Sequence, residues 1–316
     1  MRKTRKFNHL ESRPLVSVLI ATKGRPQVLL KCLSSVFGQD YPNFEVLVLD
    51  DNSESKNICE MLSAKLDGER VKCFRSNKRL GVAGARNLLM RNGRGRIFIF
   101  IDDDAIFVSN DCISRAVEYF KGDASVGILT FKIINHVAGR NELFVPFSRY
   151  QRFRCPNLVE SKQEVSYYVG TGHAIRSEVV DQCGFYQDNF GYGGEEMDLS
   201  YRAVMSGIRV FYAPDIVVHH YPQPTTFGNR GWHSELYFVT RNRIWLAYKY
   251  LPLRYFPTYL LFWLGIYGFR ALRALRMVDF FAGIKDGIKD LGLLERNPLS
   301  KDTVGYLHSH FGRLWY

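Results

Sequence analysis

Three consecutive carboxylates, Asp102-Asp103-Asp104, close the apolar run Arg96–Ile101 (RIFIFI). On extended chain, side chains at i and i+2 point the same way. Asp102 and Asp104 can therefore hold one hard divalent cation, which in turn bridges a diphosphate. The bland use of such a triplet is a solvated acidic turn or an N-cap. Its place at the end of a buried strand favours the cation. A second acidic turn, Asp50-Asp51-Asn52-Ser53, ends the run Phe44–Leu49. An aspartate there can accept hydrogen bonds from a base or ribose, or simply shape a turn and cap a helix.

Further along, Gly191-Tyr192-Gly193-Gly194 leads into Glu195-Glu196-Met197-Asp198. Negative charge at a helix start is stabilised by the helix dipole. One of the two glutamates, placed after flexible glycines, can instead act as general base toward an acceptor hydroxyl while the other pairs with a cation. Arg202 lies one helical turn beyond Asp198, which suits an internal ion pair. His219-His220 ends the apolar run at 216–218. Successive strand residues face opposite sides, so only one of the two can complete a metal site, and His220 is the preferred one. Thr22-Lys23-Gly24-Arg25 offers a hydroxyl, turn amides and a cation for a nucleotide diphosphate. The stretch 81–87 (GVAGARN) offers close backbone approach plus Arg86. Neither is a Walker or dinucleotide fingerprint.

These groups need a scaffold. Short apolar runs at 15–21, 44–49, 71–74, 96–101 and 126–134 predict strands, near-continuous in apolar character as buried parallel strands are. Helical periodicity predicts helices over 26–39, 82–91 and 111–121, with Pro26 suited to a first turn. The alternation implies an α/β fold, a mainly parallel sheet with helices on both faces. Such sheets bind ligands at the carboxyl ends of their strands, where both acidic turns fall. Residues 135–166 lack a period and are expected to form a long loop or lid. Order returns at 167–176, followed by a helix over 195–206 and two short strands at 209–212 and 216–220. The expected division is a basic tail (1–13), a catalytic domain (14–231) and a C-terminal helical segment (232–316).

The 316 residues carry 43 Lys and Arg against 31 Asp and Glu, a formal net charge of +12. Such a balance suits phosphorylated ligands or anionic membrane. Nucleic acid is not expected, since no helix-turn-helix, zinc-finger or RNA-binding pattern is present. Six cysteines with no CxxC spacing argue against a zinc module or a secreted disulfide scaffold and fit a reducing cytosol. The first thirteen residues have no apolar h-region, so no signal peptide is expected.

Taken in order, VSVLIATKGRP, FEVLVLDDNS, NKRLGVAGARN, IFIFIDDDA, GTGHAIRSEVV, GEEMDLSYR and VVHHYPQP with RNRIWL beyond it resemble the family 2 glycosyltransferases, from Val16 to about Tyr248. The resemblance implies a GT-A fold, a nucleotide-diphosphate sugar as donor, a divalent cation (Mn²⁺ or Mg²⁺) and inversion at the anomeric carbon. It places Asp51 at the nucleobase, and Thr22, Arg25 and Arg86 near the donor. Asp102 and Asp104 become the DxD pair for ribose, metal and diphosphate, with Asp103 in the same donor-binding turn. His220, or His219, completes the metal shell. Glu196 matches the catalytic base, but many members carry Asp after Glu, so Glu195 stays in play. The acceptor implied is a glycan or lipid-linked glycan, as in cell-surface polysaccharide synthesis. The alternatives are a nucleotidyltransferase and a non-catalytic sugar-binding protein of the same fold.

The stretch 251–294 mixes aromatic and aliphatic residues with Arg254, Arg270, Arg273, Arg276, Lys285 and Lys289. Its apolar part is shorter than the ~20 residues that span a bilayer. It predicts a helix lying in the membrane interface, hence a cytoplasmic protein peripheral on the inner face of the cell membrane. The bland reading is that the segment packs on the catalytic domain or forms a homodimer contact. Deletion of 251–316 is expected to leave the catalytic domain folded.

Overall fold

The computed structural model of the chain describes residues 4–54, 58–65, 71–137, 139–222 and 235–315. Among these, ten strands form one sheet. They are β1 (Val16–Thr22), β2 (Phe44–Asp50), β3 (Val71–Arg75), β4 (Ile97–Ile101), β5 (Ala105–Phe107), β6 (Val126–Val137), β7 (Arg140–Phe144), β8 (Gln163–Val165), β9 (Gly172–Arg176) and β10 (Arg209–His220). The order is β3-β2-β1-β4-β9-β6-β10-β5, with β7 on β6 and β8 on β10. β3, β2, β1 and β4 are parallel. β9 runs antiparallel between β4 and β6, and β10 is parallel to β6. β4, β6 and β10 therefore share one direction.

Eleven helices accompany the described sheet: α1 (Pro26–Phe37), α2 (Ile58–Lys65), α3 (Gly81–Asn92), α4 (Cys112–Gly122), α5 (Arg149–Arg154), α6 (Ser177–Cys183), α7 (Glu195–Met205), α8 (Glu235–Tyr250), α9 (Phe256–Arg273), α10 (Met277–Lys289) and α11 (Lys301–Ser309). Alternate strand residues feed two cores, as the strand period requires. Val16, Val18, Ile20, Val46, Val48, Ile97 and Ile99 pack with α1, α2 and α4. Leu19, Leu47, Leu49, Phe98 and Phe100 pack with α3, α6, α7 and α8.

The region 135–166 is not a loop. β6 runs on to Val137, turns back as β7, and is followed by α5, whose Ser148 and Gln151 form a capping box, and by β8. The two short strands expected at 209–212 and 216–220 are one strand. β10 carries an irregularity in its pairing with β6 between Ala213 and Val217. Pro214 lies there, and a residue without an N–H cannot extend a ladder in the middle of a sheet.

The N-terminal tail is docked rather than free. Phe7 is buried, its N–H bonds Ala124 O at 2.8 Å, and its ring lies against the Arg176 guanidinium. The boundary expected at 231/232 falls outside the described residues. Beyond it, Trp245, Tyr250, Tyr255, Tyr259, Leu299, Val304 and Leu307 belong to the same core as the inner face of the sheet. Cys59 of α2 and Cys73 of β3 form a disulfide, with Cα atoms 5.3 Å apart. The cysteine spacing gave no sign of this pair. Cys32, Cys112, Cys155 and Cys183 are free thiols.

Candidate active site

β1, β2 and β4 end side by side, with Thr22 in register with Asp50. Their carboxyl ends carry Arg25, Asp51 and Asp102–Asp104. β10 points the same way, so it delivers His219 and His220 to this edge. β5 then folds back antiparallel on β10, pairing Ala105 with His220. This short return brings the acidic triplet against the histidine.

Asp102, Asp104 and His220 each offer one ligand atom within 4.8 Å of the others. His220 Nε2 lies 3.1 Å from Asp104 Oδ1, and its Nδ1 lies 2.8 Å from Asn135 Oδ1. A second partner on Nδ1 fixes the ring and leaves Nε2 for a ligand. Two carboxylates and one imidazole suit Mg²⁺ or Mn²⁺, which prefer oxygen-rich sets. His219 faces the other side of the strand. It meets the ring of His136 at 4.6 Å and is not part of this cluster.

Asp103 turns inward. Thr22 donates to it at 2.5 Å and Arg25 Nε donates at 3.0 Å. Burial pushes the Asp103 carboxyl up to about 7, with Arg25 opposing. Thr22 is itself buried and spends its hydroxyl on Asp103. Asp103 holds Arg25, whose Nη1 also donates to Asp104 Oδ2 at 2.8 Å. Asp51 accepts from the N–H groups of Leu80 and Gly81 at 2.6 and 3.1 Å, tying the end of β2 to the start of α3. Burial raises its carboxyl above the usual range despite those bonds.

Arg86 joins the two halves of the site. Its Nη1 lies 3.1 Å from Glu196 Oε1 and 3.3 Å from Glu195 Oε1, and its Nη2 lies 3.9 Å from Asp102 Oδ1. It also donates to Gly170 O at 2.9 Å. Glu195 is 2% exposed. Burial, and then the charge of Glu196, drive its carboxyl well above the usual range, with Arg86 opposing. Glu196 retains a side-chain exposure of 19%. The pair thus presents one accessible carboxyl group and one buried carboxyl group.

Several residues around this arrangement carried no prior assignment. Gly170 leaves room for the base: a Cβ there would sit 2.0 Å from Glu196 Oε1. His173 stacks on Phe100 at 4.5 Å and bonds Gly170 O and Tyr186 OH. Burial keeps it well below its ordinary pKa, hence neutral beneath Arg86. From α8, Asn242 donates to the carbonyls of Phe190, Tyr192 and Gly193, and Arg241 donates to that of Phe190. The loop before the glutamates is held by these contacts. The signal was present in RNRIWL, where Arg and Asn interrupt a helix that is otherwise largely apolar. Asp198 accepts from Tyr250 OH at 2.7 Å, pairs with Arg202 at 2.7 Å, and also meets Lys249, fastening α7 to α8.

The sequence profile described as Glycosyl transferase family 2 matches residues 17–184. The UDP-Glc:alpha-D-GlcNAc-diphosphoundecaprenol beta-1,3-glucosyltransferase WfgD of Escherichia coli is 30% identical over 122 residues. That stretch is 39% of this chain and 47% of the relative, so the match spans about half of that protein. A mannosyltransferase from Pyrobaculum calidifontis, solved with GDP-Man and Mn²⁺, superposes with TM-score 0.56 at 18% identity. It covers 96% of this chain and 82% of its own. GalNAc-T7, solved with UDP, GalNAc and Mn²⁺, gives TM-score 0.63 at 18% identity over 79% of this chain and 50% of its own. The fold is the GT-A fold of these structures, and with the profile covering more than half of its length the chain belongs to the family 2 glycosyltransferases.

Proposed function

We propose that the protein is an inverting glycosyltransferase. It moves a sugar from a nucleotide-diphosphate donor to a hydroxyl of a saccharide or lipid-linked saccharide, in cell-surface polysaccharide synthesis. The observation that carries this reading is the juxtaposition of Asp102, Asp104 and His220 with an accessible carboxylate, Glu196, through one arginine. The Escherichia coli relative, named for a UDP-glucose donor and a diphosphoundecaprenol-linked acceptor, supports the substrate classes. The Mn²⁺ in both structural neighbours supports the cation.

In this reading Asp102, Asp104 and His220 hold Mn²⁺ or Mg²⁺. When bound there, such an ion would supply positive charge against that developing on the departing diphosphate. Asp51 lies at the nucleobase, and Arg25 faces the diphosphate from the end of β1. Glu196 takes the proton of the acceptor hydroxyl, on the side opposite the leaving group. That is single displacement, and the anomeric configuration inverts. Glu195 and Arg86 hold Glu196 in place. A lipid-linked acceptor puts the protein at a membrane surface, on the cytoplasmic face.

Donors of the UDP, dTDP and GDP series should be screened with Mn²⁺ or Mg²⁺ for release of the nucleoside diphosphate. The product anomer should be read by NMR. Expected are one consumed donor class, an inverted product, no turnover in excess EDTA, and no turnover in Asp104→Ala. Turnover of a nucleoside triphosphate and a sugar 1-phosphate, with release of pyrophosphate, would assign a nucleotidyltransferase instead. No turnover of any donor, with donor binding intact, would assign a sugar-binding protein.

A further inference from the structure

α9 and α10 form a helical hairpin whose inner side packs on α8. Gly283 lets α10 approach α8 closely, since a Cβ there would lie 2.7 Å from Tyr237 O. Arg243 of α8 donates to Tyr259 and Tyr267 of α9 at 3.0 and 3.3 Å and lies 3.8 Å from the Trp263 ring. The hairpin is therefore anchored to α8.

Its outer side is apolar and uncovered. Leu261 is 79% exposed, Leu272 63% and Val278 84%, with Ile266, Phe269 and Phe281 exposed beside them. Soluble monomers rarely expose contiguous apolar patches of this kind without a partner. Between Phe256 and Val278 the only charged residues are Arg270, Arg273 and Arg276, and all three are exposed. No helix among the described residues is long and apolar enough to cross a membrane.

The turn between the helices gives the second observation. Arg276 N donates to Ala271 O at 2.9 Å, and Leu275 N donates to Leu272 O at 3.3 Å. This pair of bonds is the Schellman ending, whose left-handed residue is usually glycine because a Cβ is unfavourable there. Here that residue is Leu275, at φ 55° and 90% exposed. A leucine in this conformation with its side chain in water is unfavourable on both counts. Contact with apolar surroundings outside the chain removes the second.

We infer that the α9–α10 hairpin is a membrane wedge. Leu275 at its apex and the outer faces of both helices enter one leaflet of an anionic bilayer, while the arginines meet lipid phosphates at the headgroup level. This deepens the membrane placement proposed above and rests on it, but not on the sugar chemistry. It replaces a helix lying flat in the interface with a hairpin that enters by its turn.

The full-length protein should be titrated with vesicles of equimolar phosphatidylglycerol and phosphatidylcholine, without donor or metal. The parent is expected to bind, and Leu275→Gly to bind about tenfold more weakly, the loss of one inserted leucine side chain. Glycine fits the left-handed position, so the thermal midpoint of Leu275→Gly should equal or exceed that of the parent. Phe269→Ser serves as a second variant and should also weaken binding. In Leu275→Trp, the emission of the new tryptophan should shift to the blue on vesicles and be quenched by lipid-borne quenchers. Parent-like binding by Leu275→Gly, or a water-exposed Trp in Leu275→Trp, would overturn the wedge. So would a parent that ignores vesicles and instead forms a dimer lost in Leu275→Gly. Vesicle binding by a protein that turns over no sugar nucleotide would sink the proposed chemistry and leave the wedge standing.

Discussion

Glu195 lies buried beneath the Arg86 guanidinium, while Glu196 keeps part of its carboxylate in solvent. Sequence alone left open which of them is the base, because adjacent residues on a helix have no fixed burial until its neighbours are known. The proposed assignment makes a graded prediction. Glu196→Gln should lower kcat by at least about two orders of magnitude, the low end of general-base contributions, with donor affinity retained. Glu195→Gln keeps the shape of a buried residue that has almost no access to an acceptor, so its kcat should fall far less. A dead Glu195→Gln beside an active Glu196→Gln would reverse the assignment. Gly170→Ala tests the same place from below. Its new Cβ would displace the Glu196 carboxylate, and a shift of this size costs roughly a hundredfold in turnover. Thermal stability should change much less than kcat. The sequence resemblance puts Asp104 and His220 in one metal shell; the contact between them is made by β5 returning along β10.

At the level of elements, five strands and three helices up to residue 134 were legible within a residue or two at most ends, while α2 and β5 were not expected. Buried parallel strands are near-continuous apolar runs, and the helices between them carry a clear period. The carboxyl-edge placement of both acidic turns followed from that pattern. The failures lie where pairing is antiparallel and local. β7 is mostly exposed and polar, and β8 has three residues, so neither has an apolar run to betray it. β10 was split in two because Pro214 interrupts its pattern without ending the strand.

The edge of β2 offers a pH test. Burial acts to raise the Glu45 carboxyl, but hydrogen bonds from the Arg94 N–H, the Ser17 hydroxyl and the Arg94 guanidinium outweigh it and hold it below its ordinary value. A lowered native pKa contributes stability above the unfolded value and loses it as pH falls through the native one. Glu45→Gln should therefore lower the thermal midpoint near neutrality and flatten its decline below about pH 4.5, the ordinary glutamate range. Parallel melting curves across that interval check it.

For the molecule as a whole, the C-terminal helices are part of the core rather than an accessory. Tyr255, Tyr259, Leu299, Val304, Leu307 and Leu314 pack with Tyr201 and Tyr212, and Tyr306 OH donates to Val165 O and Glu164. Deletion of 251–316 is accordingly expected to unfold the protein or leave it aggregated, contrary to what the complete sheet before residue 232 suggests. A soluble, cooperatively melting 1–250 fragment would refute this. The sequence could not reveal the dependence, because an aromatic helix that packs on its own domain has the same composition as one that meets a membrane. Here the segment 251–316 does the first with Tyr255 and Tyr259, and presents the face for the second with Leu261 and Leu275.

The antiparallel strand at the centre of the sheet also has a consequence in time. β4 is IFIFI, buried along its whole length, and one of its edges bonds β9. The chain reaches β9 only after β5, α4, β6, β7, α5 and β8 have been made. During synthesis β3, β2, β1 and β4 can assemble early, since N-terminal portions fold first. They then wait with an open apolar edge, and such an edge recruits other chains. β6 waits on the same partner. Ribosomes stalled before Gly172 would therefore carry the most adhesive form of this protein. The stretch from Gly172 to Arg176 closes the facing edges of β4 and β6, after which β10 and the C-terminal helices complete the core.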